Sequence, residues 1–322
     1  MKPIEVTKLY GYNNYIKKLI DITKNNKLPN RILISGSEGI GKSILGYHIS
    51  NYLLSLHEKN SYDFENNIIN EDNRSFKLIN NLSHPNFVSL KKKQTHPNFL
   101  CIEKKVEKKY IEISQIRDLN NYINKSSFNN DLKIVLIDDA EYLSNSSGNA
   151  LLKILEEPNN NVQFIIIYNN SKYILETIKS RCIEFKVGLH HKYVPEIINT
   201  YFNENIYDKI HNSYKNVYFK PIDFINLINL LKDNNFNIEN TNLEKLVKII
   251  IHDKLYKSKQ IEIHFIKSLV EAYFISKFRV NKDNNLYRIS NYLNKRFSDT
   301  IKFNLDIETY FFDLKLNLFN EK

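Results

Sequence analysis

The sequence predicts an α/β domain on a five-stranded parallel sheet, followed by an all-helical second half. Three observations predict it. Five short apolar runs alternate with helical patterns, a complete phosphate-loop motif stands at the first strand-to-helix junction, and the spacing turns purely helical after Val187.

The strands fall at 31–35, 99–103, 133–137, 162–168 and 182–187. The runs Ile134 to Ile137 and Phe164 to Ile167 are apolar at every position, as a sheet covered on both faces requires. Helical spacing occupies 43–57, 114–122 and 145–157, the last closed by Pro158. Strand alternating with helix implies parallel pairing. Beyond a break near Gly188, apolar residues recur at helical spacing through 192–202, 221–232, 242–255, 262–278 and 286–297. Segment 61–95 is polar and Asn-rich and reads as an insertion on the α/β domain; His84-Pro-Asn-Phe87 returns as His96-Pro-Asn-Phe99, too brief for a structural repeat.

Composition narrows the class. The 322 residues are 42% hydrophobic, enough for sizeable cores, and carry a formal net charge of +10. Heavy use of Asn, Lys, Ile and Tyr makes that charge a weak pointer to nucleic acid. Two cysteines can build neither a disulfide framework nor a zinc ribbon, so a reduced intracellular setting is expected. No apolar stretch reaches the roughly 18 residues a bilayer needs, and no secretory signal opens the chain, so a soluble cytoplasmic protein is expected.

Glycine is scarce and concentrated. Four of the seven, Gly36, Gly39, Gly41 and Gly46, lie within eleven residues. Gly36-Ser37-Glu38-Gly39-Ile40-Gly41-Lys42-Ser43 matches G-x-x-x-x-G-K-S/T in full. Glycines let the backbone curl so that successive N–H groups point inward at phosphate oxygens. Lys42 would pair with the outer phosphates of ATP, Ser43 would ligate Mg2+, and the following helix would add the positive end of its dipole. A preceding apolar strand and a following amphipathic helix argue against a chance glycine turn.

Asp138 and Asp139 end the strand 133–137. By itself a carboxylate there is either a solvated strand end, a helix cap, or a metal-orienting group. Downstream of a complete phosphate loop the last applies: Asp138 would orient Mg2+ and Asp139 would activate water. Asp139 is one methylene shorter than a glutamate, and about an ångström of misplacement can cost on the order of 10²-fold in rate. Residues 91–109 carry seven lysines (Lys91, Lys92, Lys93, Lys104, Lys105, Lys108, Lys109) against Glu103 and Glu107. Two readings stand: contact with a nucleic-acid backbone, and a solvated hairpin, which the lack of interleaved aromatics favours.

In order along the chain, the phosphate loop, Asp138-Asp-Ala-Glu141, Asn149-Ala-Leu-Leu-Lys-Ile-Leu-Glu-Glu-Pro158 and Ser180-Arg-Cys182 resemble the AAA+ subunits of the bacterial DNA polymerase III clamp loader. The likeness runs from about Leu9 to Val187. It is nearest the delta-prime subunit, through His96-Pro-Asn-Phe99, Ile113-Ser-Gln-Ile-Arg117 and the Asp-Asp-Ala-Glu stretch, where gamma/tau typically has Asp-Glu-Val-His.

The resemblance implies an AAA+ domain over 1–187, a small helical lid over 188–232 and a helical collar over 233–322. It makes Arg181 an arginine finger, offered in trans to the ATP of a neighbouring gamma/tau subunit, and places Asn169 at the sensor position; an isolated Asn there also reads as a plain loop residue. The implied partners are gamma/tau and delta subunits, the sliding clamp and primed DNA. Many relatives carry a four-cysteine zinc module, but only Cys101 lies in that region, so no zinc site is expected. Some delta-prime subunits have lost the phosphate loop, whereas this chain keeps it. ATP binding with weak turnover follows, and a gamma/tau-type motor is the alternative.

Overall fold

The structure is a computed structural model that describes residues 2–25, 27–80, 96–125, 131–157, 161–170, 173–257, 261–303 and 305–319. Its contacts divide the chain into two units, Met1–Tyr193 and Val194–Lys322, so the break falls just past Gly188.

In the first unit the five apolar runs form β1 (Arg31–Gly36), β2 (Phe99–Ile102), β3 (Lys133–Ile137), β4 (Val162–Asn169) and β5 (Ile183–Lys186). They build one sheet in the order β2-β3-β4-β1-β5, every pair parallel. β3 and β4 are buried along their whole length, which explains their unbroken apolar runs. β5 is an edge strand with most residues exposed. From β1 the chain goes out to the far edge at β2 and works back, so β4 returns beside β1. Gly36 pairs with Asn169 in that register, and the phosphate loop begins next to the end of β4. This is the kind of strand-end crevice in which α/β sheets hold ligands.

The helices are α1 (Asn13–Lys24), α2 (Lys42–Leu54), α3 (Arg74–Ile79), α4 (Ile113–Ile123), α5 (Asn145–Glu156) and α6 (Glu176–Lys179). α2 is buried over most of its length and lies close on the sheet because of Gly46. A Cβ there would stand 2.6 Å from Ile167 Cδ1 and 3.0 Å from Leu136 Cδ1. Pro158, expected to close α5, lies outside the described residues.

The Asn-rich segment behaves differently from an appended polar insertion over its described part, residues 61–80. Tyr62, Asn67, Ile69, Asn73, Ser75, Phe76 and Ile79 are all buried. Asn73 caps α3 by accepting from Phe76 N at 2.9 Å, and its amide donates to Asn60 O at 3.0 Å. Asparagine here satisfies backbone groups that would otherwise be orphaned on burial. Residues 81–95, including the first His-Pro-Asn-Phe, are outside the described set.

The second unit consists of α7 (Val194–Phe202), α8 (Asn212–Lys215), α9 (Pro221–Asp233), α10 (Leu243–His252), α11 (Ile263–Asn281), α12 (Asn284–Phe303) and α13 (Ile307–Phe319). Pro221 at the first turn and the Asn242 side chain, which accepts from Lys245 N, start two of them. One apolar core runs from Val194 to Leu314, joining residues on both sides of position 232. Among the described residues, no helix of the chain is long and apolar enough to cross a membrane.

Candidate nucleotide site

The site grows out of the β1–α2 junction. Gly39 and Gly41 take φ of 77° and 94°, and Gly41 is the residue from which α2 starts. Side chains rarely accept that conformation, so the turn needs glycine. Gly36 is needed for a different reason, since a Cβ would come within 2.4 Å of Val187 O. The loop is also held from below. Tyr12, buried just before α1, donates its hydroxyl to Ile40 O at 2.7 Å.

Lys42, the first residue of α2, is buried, and its Nζ donates to Ser37 O at 2.5 Å. Burial holds its ammonium down to about 8, against the pull of Glu141, Asp138, Glu38 and Asp139. Ser43 Oγ donates to Asp138 Oδ1 at 3.0 Å. Burial pushes the Asp138 carboxyl up to about 6, and the Asp139 charge adds to the push. Asp139 sits in the left-handed region (φ 54°, ψ 47°), and its backbone N–H donates to Asp138 Oδ1 at 2.9 Å. Left-handed backbone is tolerated by Asp more than by most residues and marks sites under constraint.

Asn169 closes the group. Its amide Nδ2 donates to Glu141 Oε1 at 2.5 Å and to Asp139 Oδ1 at 3.3 Å, and its backbone N–H donates to Glu141 Oε2 at 3.1 Å. Burial raises the Glu141 carboxyl above its ordinary range. The structure thus unites Lys42, Ser43, Asp138, Asp139 and Asn169 from the sequence reading, and adds Glu141 and Tyr12, to which that reading gave no role. Glu141 stood inside a quoted motif, so its position was visible. Nothing in the sequence pointed Tyr12 at Ile40.

Four carboxylates acting on one buried ammonium leave an excess of negative charge, which a divalent cation would offset. The hydroxyl–carboxylate pair Ser43–Asp138 offers the hard oxygen donors that Mg2+ takes. The left-handed glycines and the buried Lys42 suit a polyphosphate. The residues present therefore fit ATP and Mg2+.

Arg181 stands apart. Its Nη2 contacts Glu156 Oε1 at 2.5 Å, at the end of α5, and Nη1 donates to Thr177 O at 2.9 Å in α6. Its side chain is 33% exposed and makes no described contact with the phosphate loop. Burial pushes the Cys182 thiol beside it up to about 11, which keeps it protonated at neutral pH. In the lysine-rich stretch, Lys91, Lys92 and Lys93 lie outside the described residues. Lys105 and Lys108 pair with Glu112 at 3.6 and 3.0 Å, while Lys104 and Lys109 lie over the rings of Tyr142 and Tyr110. Residues 103–110 form a mostly exposed loop of turns and bends between β2 and α4 rather than the expected hairpin.

Residues 11–189 match the model of the family described as DNA polymerase III, delta subunit. The chain belongs to that family of clamp-loader AAA+ proteins. Its phosphate loop, parallel sheet and helical half are the AAA+ architecture the resemblance implied. DNA polymerase III subunit delta' of Buchnera aphidicola subsp. Schizaphis graminum is 28% identical over 73% of this chain and 68% of its own length. Subunit delta' of the subspecies Baizongia pistaciae is 30% identical over 62% and 55%, and subunit gamma of the first is 33% identical over 40% and 38%. The chain thus spans between about two fifths and two thirds of these relatives. Among solved structures, a gamma-subunit-related protein of Thermotoga maritima aligns over 84% of this chain and 77% of that one, at 19% identity and a TM-score of 0.37. A likeness that low adds no weight beside the family match.

Proposed function

We propose that the chain is a delta-prime-type subunit of the DNA polymerase III clamp loader. It supports ATP-dependent loading of the sliding clamp onto primed DNA in the cytoplasm, binding ATP with Mg2+ and lending Arg181 to a neighbouring gamma/tau subunit. The observation that carries the nucleotide reading is the buried Lys42 beside the Ser43–Asp138 pair, on a loop with two left-handed glycines. When bound, ATP–Mg2+ supplies a cleavable phosphoanhydride and a centre of positive charge. Lys42 would hold phosphate oxygens, Ser43 and Asp138 would hold the ion, and Asp139 with Asn169 would orient an attacking water.

The support for action in trans is the setting of Arg181: one-third exposed, braced by Glu156 and Thr177 O, and without a described contact to its own phosphate loop. Gamma/tau and delta subunits, the clamp and primed DNA are the proposed partners. The helical unit is proposed to supply both the lid (188–232) and the collar (233–322).

Titration of a fluorescent ATP analogue with Mg2+ tests the first part. Wild type binds and Lys42→Ala loses at least about tenfold in affinity, the scale of one buried charged contact. Equal binding by the two, or none by wild type, rejects nucleotide binding at this site. In a complex reconstituted with its partner subunits, Arg181→Ala lowers DNA-stimulated ATPase by about 10³-fold or more at the served site while assembly persists. Unchanged ATPase would sink the in-trans role.

The gamma relative keeps a second reading open, a gamma/tau-type motor, because the binding residues are intact. Vigorous ATPase by the isolated chain, abolished by Lys42→Ala, would select it.

A further inference from the structure

Glu141 adds its charge to the field on Lys42, while its hydrogen bonds go to a different residue. It is buried, on the short 3-10 turn Ala140–Tyr142 that follows β3, and each of its oxygens accepts from Asn169. Oε2 accepts the Asn169 backbone N–H at 3.1 Å, and Oε1 accepts the Asn169 amide at 2.5 Å. A side-chain amide nitrogen carries two hydrogens. With Glu141 taking one at short range, the other faces Asp139 Oδ1 at 3.3 Å, near the long limit for such a bond. The two contacts are unequal: a charge-assisted bond anchors Asn169, and a weak one leaves its second donor open to competition by a better acceptor.

We propose that Glu141 is a positioning residue, which locks the Asn169 amide with one hydrogen committed and the other directed at the Asp139 end of the strand, and thereby sets how well this site tells a nucleoside triphosphate from a diphosphate. Resting on the nucleotide reading above, it assigns the contact at the end of β4 to the pair Glu141–Asn169 rather than to either residue alone. A rotamer fixed in advance costs less to use, so affinity for the longer phosphate chain depends on Glu141 even though Glu141 touches no phosphate.

The test titrates fluorescent tri- and diphosphate analogues with Mg2+ against the full chain. Glu141→Gln weakens triphosphate binding relative to diphosphate by about tenfold, and Asn169→Ala does the same. The double variant is no worse than Asn169→Ala, since both remove one coupled unit. Glu141→Asp keeps the charge but withdraws the carboxylate by a methylene. It carries the same expectation and excludes a change due only to lost negative charge. A wild-type ratio in Glu141→Gln and Glu141→Asp, with nucleotide still bound, overturns the proposal alone. Wild type that binds neither nucleotide overturns the nucleotide reading and the discrimination with it. A readout without ligand separates the pair itself. Hydrogen exchange at the Asn169 backbone amide rises about tenfold or more in Glu141→Gln while Ile165 to Ile167 keep their protection. Unchanged exchange at Asn169 shows that Glu141 does not hold it and overturns the proposal.

Discussion

Asp138 shows at residue scale how a site works against stability. Its carboxyl is buried beside Asp139 and pushed up to about 6, although Ser43 and the Asp139 N–H pull it back. In the unfolded chain the same group titrates near its ordinary 3.8. Between those values the folded protein holds a proton that the unfolded chain has released, so this group favours folding at low pH and costs stability above pH 6. Asp138→Asn should stabilise the isolated protein at pH 8 by roughly 1–3 kcal/mol in urea melts, and the gain should shrink as pH falls below 6. The same variant should weaken Mg2+-dependent nucleotide binding. His48 works in the opposite direction. Burial holds it down to about 4, so the unfolded chain takes up a proton below pH 6.5 that the folded one refuses, and acid erodes stability through that group. Each phosphate-loop residue was legible because the motif is contiguous. Glu141 and Asn169 are 28 residues apart, and no local pattern joins them.

At element scale, α2 is the piece that positions the chemistry. Its start is set by Gly41 and its distance from the sheet by Gly46, and both constraints are steric. Gly46→Val should therefore destabilise the first unit by about 1–3 kcal/mol through overpacking against Ile167 and Leu136, with a matching fall in thermal midpoint. β3 was read correctly despite Lys133 at its start. The structure buries that lysine and spends its Nζ on Tyr122 O at 2.8 Å, with Ile123 and Lys125 carbonyls completing a cap on α4. The Asn-rich segment misled because asparagine reads as loop. Here its side chains cap and bridge buried backbone, a service visible only once Asn51, Asn60 and Asn73 are neighbours. α1, absent from the expected elements, was equally missed, although Ile16, Leu19 and Ile20 line its buried face.

Over the whole molecule, each unit has a core of its own among the described residues: one packs α4 and α5 against a face of the sheet, and a second fills the helical half. Damage to the second core should therefore leave the nucleotide site alone. Leu269→Ala, at a fully buried position of α11, should cost about 2–5 kcal/mol in the unfolding of the helical unit. Affinity for the ATP analogue should change less than twofold, within about 0.4 kcal/mol. A loss of both together would mean that the two units are energetically coupled.

By itself the sequence determined the alternation of strands and helices, the phosphate loop, the acidic strand end and the family. Each of these is written in neighbouring residues, where periodicity and turn sterics act along the chain. Only the tertiary structure decided that Tyr12 holds Ile40, that Glu141 grips Asn169, that Glu156 braces Arg181, and that the helical half shares one core across position 232. Those contacts join residues far apart in the chain. Burial enforces them, because a polar group taken out of water must find its partner wherever the fold has brought one.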